Sequence, residues 1–510
     1  MTRKNIYSLL WITVLLIPAT FCVATPKIAS IEEFLNKQET IRIVTDAADG
    51  FGNQAASANI VVRLRQMGYK GKYEFIYPDR AIDKIAILFD LPGTLPDSYF
   101  DKNNNVEFIK LSYFLAKLKR KEIPSVTLGM TGVLVGNICE IAGTDESDNI
   151  TCSNFANMAN TNYFIAMSPF ISGQIKDWPS RDDTHLYIKD QAEPLVQLNS
   201  DNKFIVMPVA SLNDAKSYLR NDARGQELVT KKPALMTLID SIDHTNINVL
   251  PVYGYHVQIR NSCNNDTSNN CLFSRMNQML QIIAGARYAQ LTGTDDFHKP
   301  LVIPVFYDYA RESTFLVQLI NGNIWDTISE PDAAKWRMLI NTLGLPSNFD
   351  IASAEDASAV QKIQQLQNNQ ILLLSMGALP KIVFDGLYTN TSENTWPQVR
   401  EGANTFNSLV LTGKPHLRCS DYDGWEIGVS RIENSALQIW LNDFYDANEG
   451  FCKNPSNIDA LAKKLGKFIL DAHDPASSLS AYFSNLKEES IKPENDRIHY
   501  ALEEVVKQMQ

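Results

Sequence analysis

Short apolar runs alternate with longer amphipathic stretches along most of the chain. The first runs that indicate buried strands are IRIV (41–44), KYEFIYP (72–78), KIAILFDL (84–91), PSVTLGM (124–130), NYFIAM (162–167), HLYIK (185–189) and KFIVMPVA (203–210). Such runs, rich in β-branched and aromatic residues and separated by helical stretches, are typical of a mainly parallel sheet with helices on both faces. The pattern predicts an α/β fold.

A second series of apolar runs predicts a second α/β lobe. It consists of NINVLPVYGYHV (246–257), PLVIPVFYDY (300–309), TFLVQLI (314–320) and NQILLLSMG (369–377), and the polar stretch 219–246 is where the chain is expected to cross between lobes. Apolar residues at helical spacing in 457–474, followed by 475–490 and an acidic tail, predict carboxy-terminal helices. The expected domains are a signal peptide (1–24), an amino-terminal lobe (25–240), a carboxy-terminal lobe (241–470) and terminal helices (471–510).

The amino terminus has the pattern of a secretory signal. Arg3 and Lys4 precede an apolar stretch of about a dozen residues and a small-residue end, so cleavage is expected after Ala24. An uncleaved anchor is the alternative, and it would bring the chain into contact with a membrane. In either case we expect an exported protein, secreted or in a periplasm or lumen.

Charge and cysteine usage narrow the possible partners. The formal net charge of −11 makes nucleic acid an unfavourable partner. Six of the seven cysteines follow the predicted signal. An even number in an exported chain predicts three disulfide bonds, and the sequence does not determine which cysteines pair. No C-x-x-C occurs and the seven histidines are scattered, so a structural zinc site is not expected.

Two polar segments carry the candidate chemistry. The first, TDAADGFGNQAAS (45–57), separates a strand from a helix, although its spacing is not that of the dinucleotide fingerprint. The second runs from 371 to 417, where a strand leads to the turn that contains Gly377 and Pro380 and later to the sequence VREGANT. Asn404 and Thr405 stand at a predicted helix start, where free N–H groups and the helix dipole favour a diphosphate. Glu401 precedes that helix and is placed to accept the hydroxyls of a ribose.

This second segment resembles the donor-binding motif of glycosyltransferases of the GT-B fold, such as glucuronosyl- and MurG-type enzymes. The resemblance implies two Rossmann-like lobes facing a cleft, a UDP- or GDP-linked sugar donor, an acceptor hydroxyl, and neither a metal nor a separate cofactor. It implies nucleotide-sugar contacts from the segment 371–417 and the loop after it, by Gly377, Pro380, Arg400, Glu401, Gly402, Asn404, Thr405, Asp421 and Asp423. The frequent His-Gly-Gly of the family is replaced by Arg400, Glu401 and Gly402, and Arg400 could supply the charge that the histidine would bring.

The first segment is similar to the GNQ loop of several fucosyltransferases. In inverting GT-B enzymes the corresponding loop carries the base that deprotonates the acceptor, which implies that role for Asp46 or Asp49. Asn53 and Gln54 are then expected to bind acceptor hydroxyls. His256, at the end of the second lobe's first strand, is a further candidate for acceptor binding.

Two other functions fit the same pattern. An exported solute-binding protein also has a signal, two α/β lobes and a cleft, but it needs no nucleotide site. The third hypothesis is a protein with the GT-B shape but no catalytic activity, such as a lectin-like module. Export complicates the transferase because activated sugars are made in the cytosol, so its donor would come from a eukaryotic lumen, a host cell or a lipid carrier.

Overall fold

A computed structural model describes residues 30–46, 52–132, 155–167, 184–191, 196–198, 209–253, 268–306, 310–329, 333–400, 403–418 and 458–510. The first sheet contains eight strands: β1 (Thr40–Val44), β2 (Lys72–Tyr77), β3 (Ser98–Asp101), β4 (Val106–Lys110), β5 (Val126–Thr131), β6 (Thr161–Met167), β7 (Thr184–Ile188) and β8 (Val196–Leu198). We call the part of the chain built on this sheet the first lobe.

The first sheet has a Rossmann-like centre. Its order is β3-β4-β2-β1-β5-β6-β7-β8, and the five central strands from β4 to β6 are parallel, whereas β3, β7 and β8 pair antiparallel at the edges. The chain leaves β1 towards β2 and β4 and then returns to β5 on the other side of β1. Ligands of open α/β sheets bind outside the carboxyl ends of the strands at this point of reversal, which here lies between β1 and β5.

The helices of the first lobe are α1 (Ile31–Asn36), α2 (Gly52–Gln66), α3 (Ile82–Phe89), α4 (Leu111–Lys119) and α5 (Phe155–Met158). The start of α2 lies unusually close to the end of β5. A Cβ atom at Gly132 would come within 2.8 Å of the carbonyl carbon of Ala56 and 2.9 Å of the amide nitrogen of Ser57. Because Gly132 has no side chain, the start of α2 can pack directly against the end of β5, at the reversal point of the sheet.

The second sheet is wholly parallel. Its strands are β9 (Asn248–Val249), β10 (Leu301–Val305), β11 (Phe349–Ser353), β12 (Ile371–Ser375), β13 (Gln398–Arg400) and β14 (His416–Arg418). The order is β11-β12-β10-β9, and the β13-β14 pair joins it beside β9 through single bridges from Val249 to Thr395 and from Val252 to Val399. The chain thus reverses direction across the sheet between β9 and β13.

Helices surround this second sheet and, with it, form the second lobe. They are α6 (Leu212–Asn221), α7 (Ala223–Lys231), α8 (Ala234–Asp243), α9 (Asn269–Thr292), α10 (Ala310–Ile320), α11 (Ala333–Thr342), α12 (Leu345–Asn348), α13 (Ala357–Gln365), α14 (Lys381–Tyr388) and α15 (Ala403–Val410). Side chains of α6 and α8 pack in one apolar cluster with β9, β10 and β12. These two helices therefore stabilise the second sheet. The predicted domain boundary at residue 240 assigned most of both helices to the amino-terminal lobe. The domain division itself stays a prediction.

Polar contacts join the two lobes where α3 ends. Asp90, which ends α3 in the left-handed conformation, accepts a hydrogen bond from the Tyr218 hydroxyl of α6 and lies 3.7 Å from the Arg224 guanidinium of α7. Partial burial raises the pKa of the Asp90 carboxyl. Helix α14 also packs against both α3 and α6.

Three terminal helices connect the second lobe back to the first. They are α16 (Ile458–His473), α17 (Ser478–Ser490) and α18 (Arg497–Gln508). Helix α16 packs along α9 in the second lobe, whereas the apolar face of α18 belongs to the core of the first lobe and lies against α1 and β7. Asp496 begins α18 by accepting the amide hydrogens of Ile498 and His499, and it also accepts hydrogen bonds from the Arg63 guanidinium of α2.

The α/β fold and the carboxy-terminal helices are confirmed, but two apolar runs were assigned to the wrong element. KIAILFDL (84–91) forms most of α3, which ends at Asp90, and TFLVQLI (314–320) forms the second part of α10. A short apolar run is compatible with either a buried strand or a buried helix face, so its length alone does not decide. Residues 203–208 of KFIVMPVA lie outside the described residues.

Candidate functional site

Asp46 lies immediately beyond the carboxyl end of β1, at the reversal point of the first sheet. Its side chain is only 1% exposed. The Asn53 amide donates a hydrogen bond of 2.6 Å to the Asp46 Oδ2 atom. The Gln54 amide donates to the Asp46 main-chain carbonyl at 2.9 Å and to its Oδ1 atom at 3.3 Å. The first turn of α2 therefore holds both carboxylate oxygens of Asp46.

These contacts bear on the expected roles of Asn53 and Gln54. The amide nitrogens of both residues donate to Asp46, and Gln54 is fully buried whereas Asn53 is half-buried. The Ser57 hydroxyl, one turn further, donates to the Val44 carbonyl and accepts from the Gly132 amide, both at 3.3 Å. In this conformation the α2 start is organised around Asp46 and the strand ends, and direct binding of an acceptor by the two amides stays a prediction.

Arg400 ends β13 at the reversal point of the second sheet. It is 3% exposed, and its guanidinium carbon lies 4.5 Å from the centre of the Phe406 ring of α15. The ring of Phe406 in turn lies 5.5 Å from that of His416. Burial, and then the charge of Arg400, hold the pKa of His416 well below its usual value, so this imidazole is neutral near pH 7. The positive charge of the cluster therefore resides on Arg400.

Helix α15 begins just after Arg400, as the sequence predicted for the VREGANT segment. Asn404 and Thr405 lie in its first turn, and Thr405 is 7% exposed. The amide hydrogens of a first helical turn have no partner within their own helix, and together with the dipole they favour an anion. The helix start is thus present after β13, while its role as a phosphate site stays a prediction.

Gly377 and Pro380 shape the turn after β12. Gly377 has a φ of +60°, a left-handed conformation that strains residues with a side chain, and Pro380 precedes the first residue of α14. Lys232, from the end of α7, lies in this turn: its ammonium donates to the Met376 carbonyl at 2.9 Å and to Glu355 at 2.7 Å. Sequence reasoning missed this lysine, because its partners lie 123 and 144 residues further along the chain.

The helices that follow the two polar segments contact each other. Helix α2, which starts at the Asp46 segment, packs against α15, which starts at the Arg400 segment. Leu411, directly after α15, also packs against the apolar core of the first lobe. The carboxyl-end motifs of the two sheets therefore belong to helices that contact each other.

Several predicted site residues lie outside the described residues. They are Asp49, His256, Glu401, Gly402, Asp421 and Asp423, and the side chain of Asn404 is also not described. Their roles stay predictions from the sequence.

Three further features concern the described residues: metal ligands, membrane-spanning helices and disulfide bonds. In the described ranges, no group of three or more histidine, cysteine, aspartate or glutamate side chains could hold a metal ion. Among those same residues no helix combines the length and apolar character needed to cross a membrane. Cys271 is disulfide-bonded, and the other five cysteines after the predicted signal lie outside the described residues, so the prediction of three disulfides remains open.

Comparison with known proteins gives a distant structural likeness. No protein-family model and no curated protein sequence matches the chain. The chain is similar to an α,α-trehalose-phosphate synthase (UDP-forming) from Burkholderia vietnamiensis, with 8% sequence identity and a TM-score of 0.33 over 92% of this chain and 97% of that one. The function of this chain is therefore inferred from its own residues.

Proposed function

We propose that the protein is a glycosyltransferase that moves a sugar from a nucleotide-linked donor to an acceptor hydroxyl. The observation that carries the proposal is the packing of α2 on α15, because these helices follow the two segments that resemble glycosyltransferase motifs. Both helices start at the carboxyl edge of a parallel sheet where the chain reverses, which is where α/β proteins bind ligands.

The two motifs have complementary chemistry. The second lobe offers Arg400 and the first turn of α15 to a diphosphate, which would place the donor there. The first lobe offers the Asp46 carboxylate, to which the Asn53 and Gln54 amides donate, as the general base. Since Asp46 is almost fully buried, an acceptor would have to displace the residues that cover it.

The first prediction concerns nucleotide binding. UDP or GDP at a concentration of about 100 times its Kd should stabilise the protein by roughly 2.7 kcal/mol, because a ligand that binds only the folded state shifts the unfolding equilibrium. A thermal-shift titration with UDP, GDP and ADP measures this directly. If none of them raises Tm and a free monosaccharide does, the protein is a solute-binding protein.

A matched pair of variants locates the nucleotide. Glu401→Ala should weaken nucleotide binding by about 2 to 3 kcal/mol, the cost of losing charge-assisted hydrogen bonds to a ribose. Glu393→Ala removes an exposed glutamate a few residues earlier and should leave affinity unchanged. Equal affinity of both variants for every nucleotide that raises Tm would place the donor elsewhere.

We also propose that the protein is exported and oxidised. Cys271 at the start of α9 is disulfide-bonded, and the six cysteines after residue 24 can form three bonds. We expect alkylation of the purified native protein to modify no cysteine in the chain after residue 24, and reduction to expose all six. Intact-mass measurement counts them; six reactive thiols before reduction would contradict both parts of this proposal.

A further inference from the structure

The contacts at the start of α2 suggest a role for Asn53 that differs from acceptor binding. Its amide nitrogen lies 2.6 Å from the Asp46 Oδ2 atom, while Gln54 holds the Oδ1 atom and the main-chain carbonyl of the same residue. Two of these hydrogen bonds reach the carboxylate, one to each oxygen, and the third reaches the main-chain carbonyl, so two consecutive residues of one helical turn set the orientation of the Asp46 side chain. Asn53 is the more exposed of the two amides, since Gln54 is fully buried.

We propose that Asn53 is a positioning residue that orients the Asp46 carboxylate for proton abstraction from the acceptor. This inference rests on the proposed transferase function and deepens it. A general base has to lie within hydrogen-bond reach of the proton it removes, and misplacement by about 1 Å can cost on the order of 10²-fold in rate. The Asn53 amide donates to the Asp46 Oδ2 atom, and we infer that this hydrogen bond sets the orientation in which the carboxylate meets the acceptor hydroxyl.

Helix geometry supports the assignment to Asn53. The residue lies at the second position of α2, whose start is fixed against the sheet by the close approach at Gly132 and by the Ser57 hydrogen bonds. The far end of the same helix is fixed by the Arg63 contact with Asp496. Because both ends of α2 are held, the Asn53 amide is a rigid donor, as a positioning residue requires.

The test compares variants at the two ends of α2. Asn53→Leu keeps the side-chain size but removes the donor, and Asn53→Gln keeps an amide. Gln66→Glu is the control: it alters an exposed residue at the far end of the same helix and keeps an oxygen that can accept from the Arg63 guanidinium. The reaction measured is release of nucleoside diphosphate from UDP-glucose, or from GDP-mannose if GDP is the nucleotide that raises Tm, with water or an added sugar as acceptor.

For Asn53→Leu we expect kcat to fall by about 10- to 100-fold while KM for the donor stays within about twofold, because the donor is held by the other lobe. Asn53→Gln carries the amide on a side chain one methylene longer and should recover only part of the rate, and Gln66→Glu should behave as the unmodified protein. A raised KM at unchanged kcat would make Asn53 a binding residue and overturn the inference, as would an unchanged rate. Absence of both nucleotide binding and release would overturn the proposed function as well.

Discussion

Replacing Asp46 by asparagine should lower kcat by roughly 10²- to 10⁴-fold, the usual contribution of a positioned general base. The substitution is isosteric, so the Gln54 contact to the main-chain carbonyl of residue 46 can persist and the helix start can keep its place. Nucleotide affinity should barely change, because the proposed donor site lies in the second lobe. Steady-state kinetics on the donor identified by thermal shift, together with a nucleotide titration of the variant, measure both quantities.

Asp49→Asn is the companion to this experiment, since the sequence offers both aspartates as the base. If the Asp49 variant loses the rate instead, the base is Asp49 and Asp46 is a structural carboxylate that caps the α2 segment. If both variants keep their turnover, the base lies elsewhere or the reaction needs none, and the interpretation of the first segment is wrong. A change in Tm without a change in kcat assigns the residue to stability alone.

The strands that were predicted well are those whose residues leave little choice of conformation. IRIV and KYEFIYP are rich in β-branched and aromatic residues and are bounded by turns, and they form most of β1 and all of β2 as expected. KIAILFDL has a similar composition but forms most of α3. The apolar residues at positions 82, 85, 86 and 89 pack on the core at helical spacing, and Asp90 adopts the left-handed conformation that ends the helix. The decision between strand and helix was made by packing, which the local pattern does not contain.

The sequence predicted only part of the candidate site, because some of its contacts also depend on packing. Asp46 and Arg400 were found because each directly follows or ends an apolar strand, and such positions are visible in one dimension. The Asn53 contact depends on the direction in which the first turn of α2 leaves the strand, and the Lys232 contacts depend on how α7 packs on the second sheet. Spacing along the chain determines neither of these directions, so both contacts could be identified only from the three-dimensional structure.

The largest stability effect is expected from Leu502→Ala in α18, at the far end of the chain. Leu502 is fully buried in the apolar core of the first lobe together with residues of β1 and α1, more than 400 positions earlier. Removing a buried leucine side chain beyond its Cβ atom costs about 2 to 5 kcal/mol through lost burial and the cavity left behind. The loss should concentrate in the first lobe, because the apolar face of α18 packs there and not on the second sheet.

Hydrogen exchange followed by mass spectrometry separates the two lobes in this variant. Peptides covering β1 and α1 should lose protection, whereas peptides covering β12 should keep it, and denaturant unfolding should show the lower-stability transition shifted. Ile491→Ala is the control, since Ile491 precedes α18 and is 53% exposed, and substitutions at exposed positions usually change stability by less than about 0.5 kcal/mol. Equal loss of protection in both lobes would mean that they unfold as one unit, while unchanged protection at β1 would show that α18 does not stabilise the sheet on which Asp46 depends for its position.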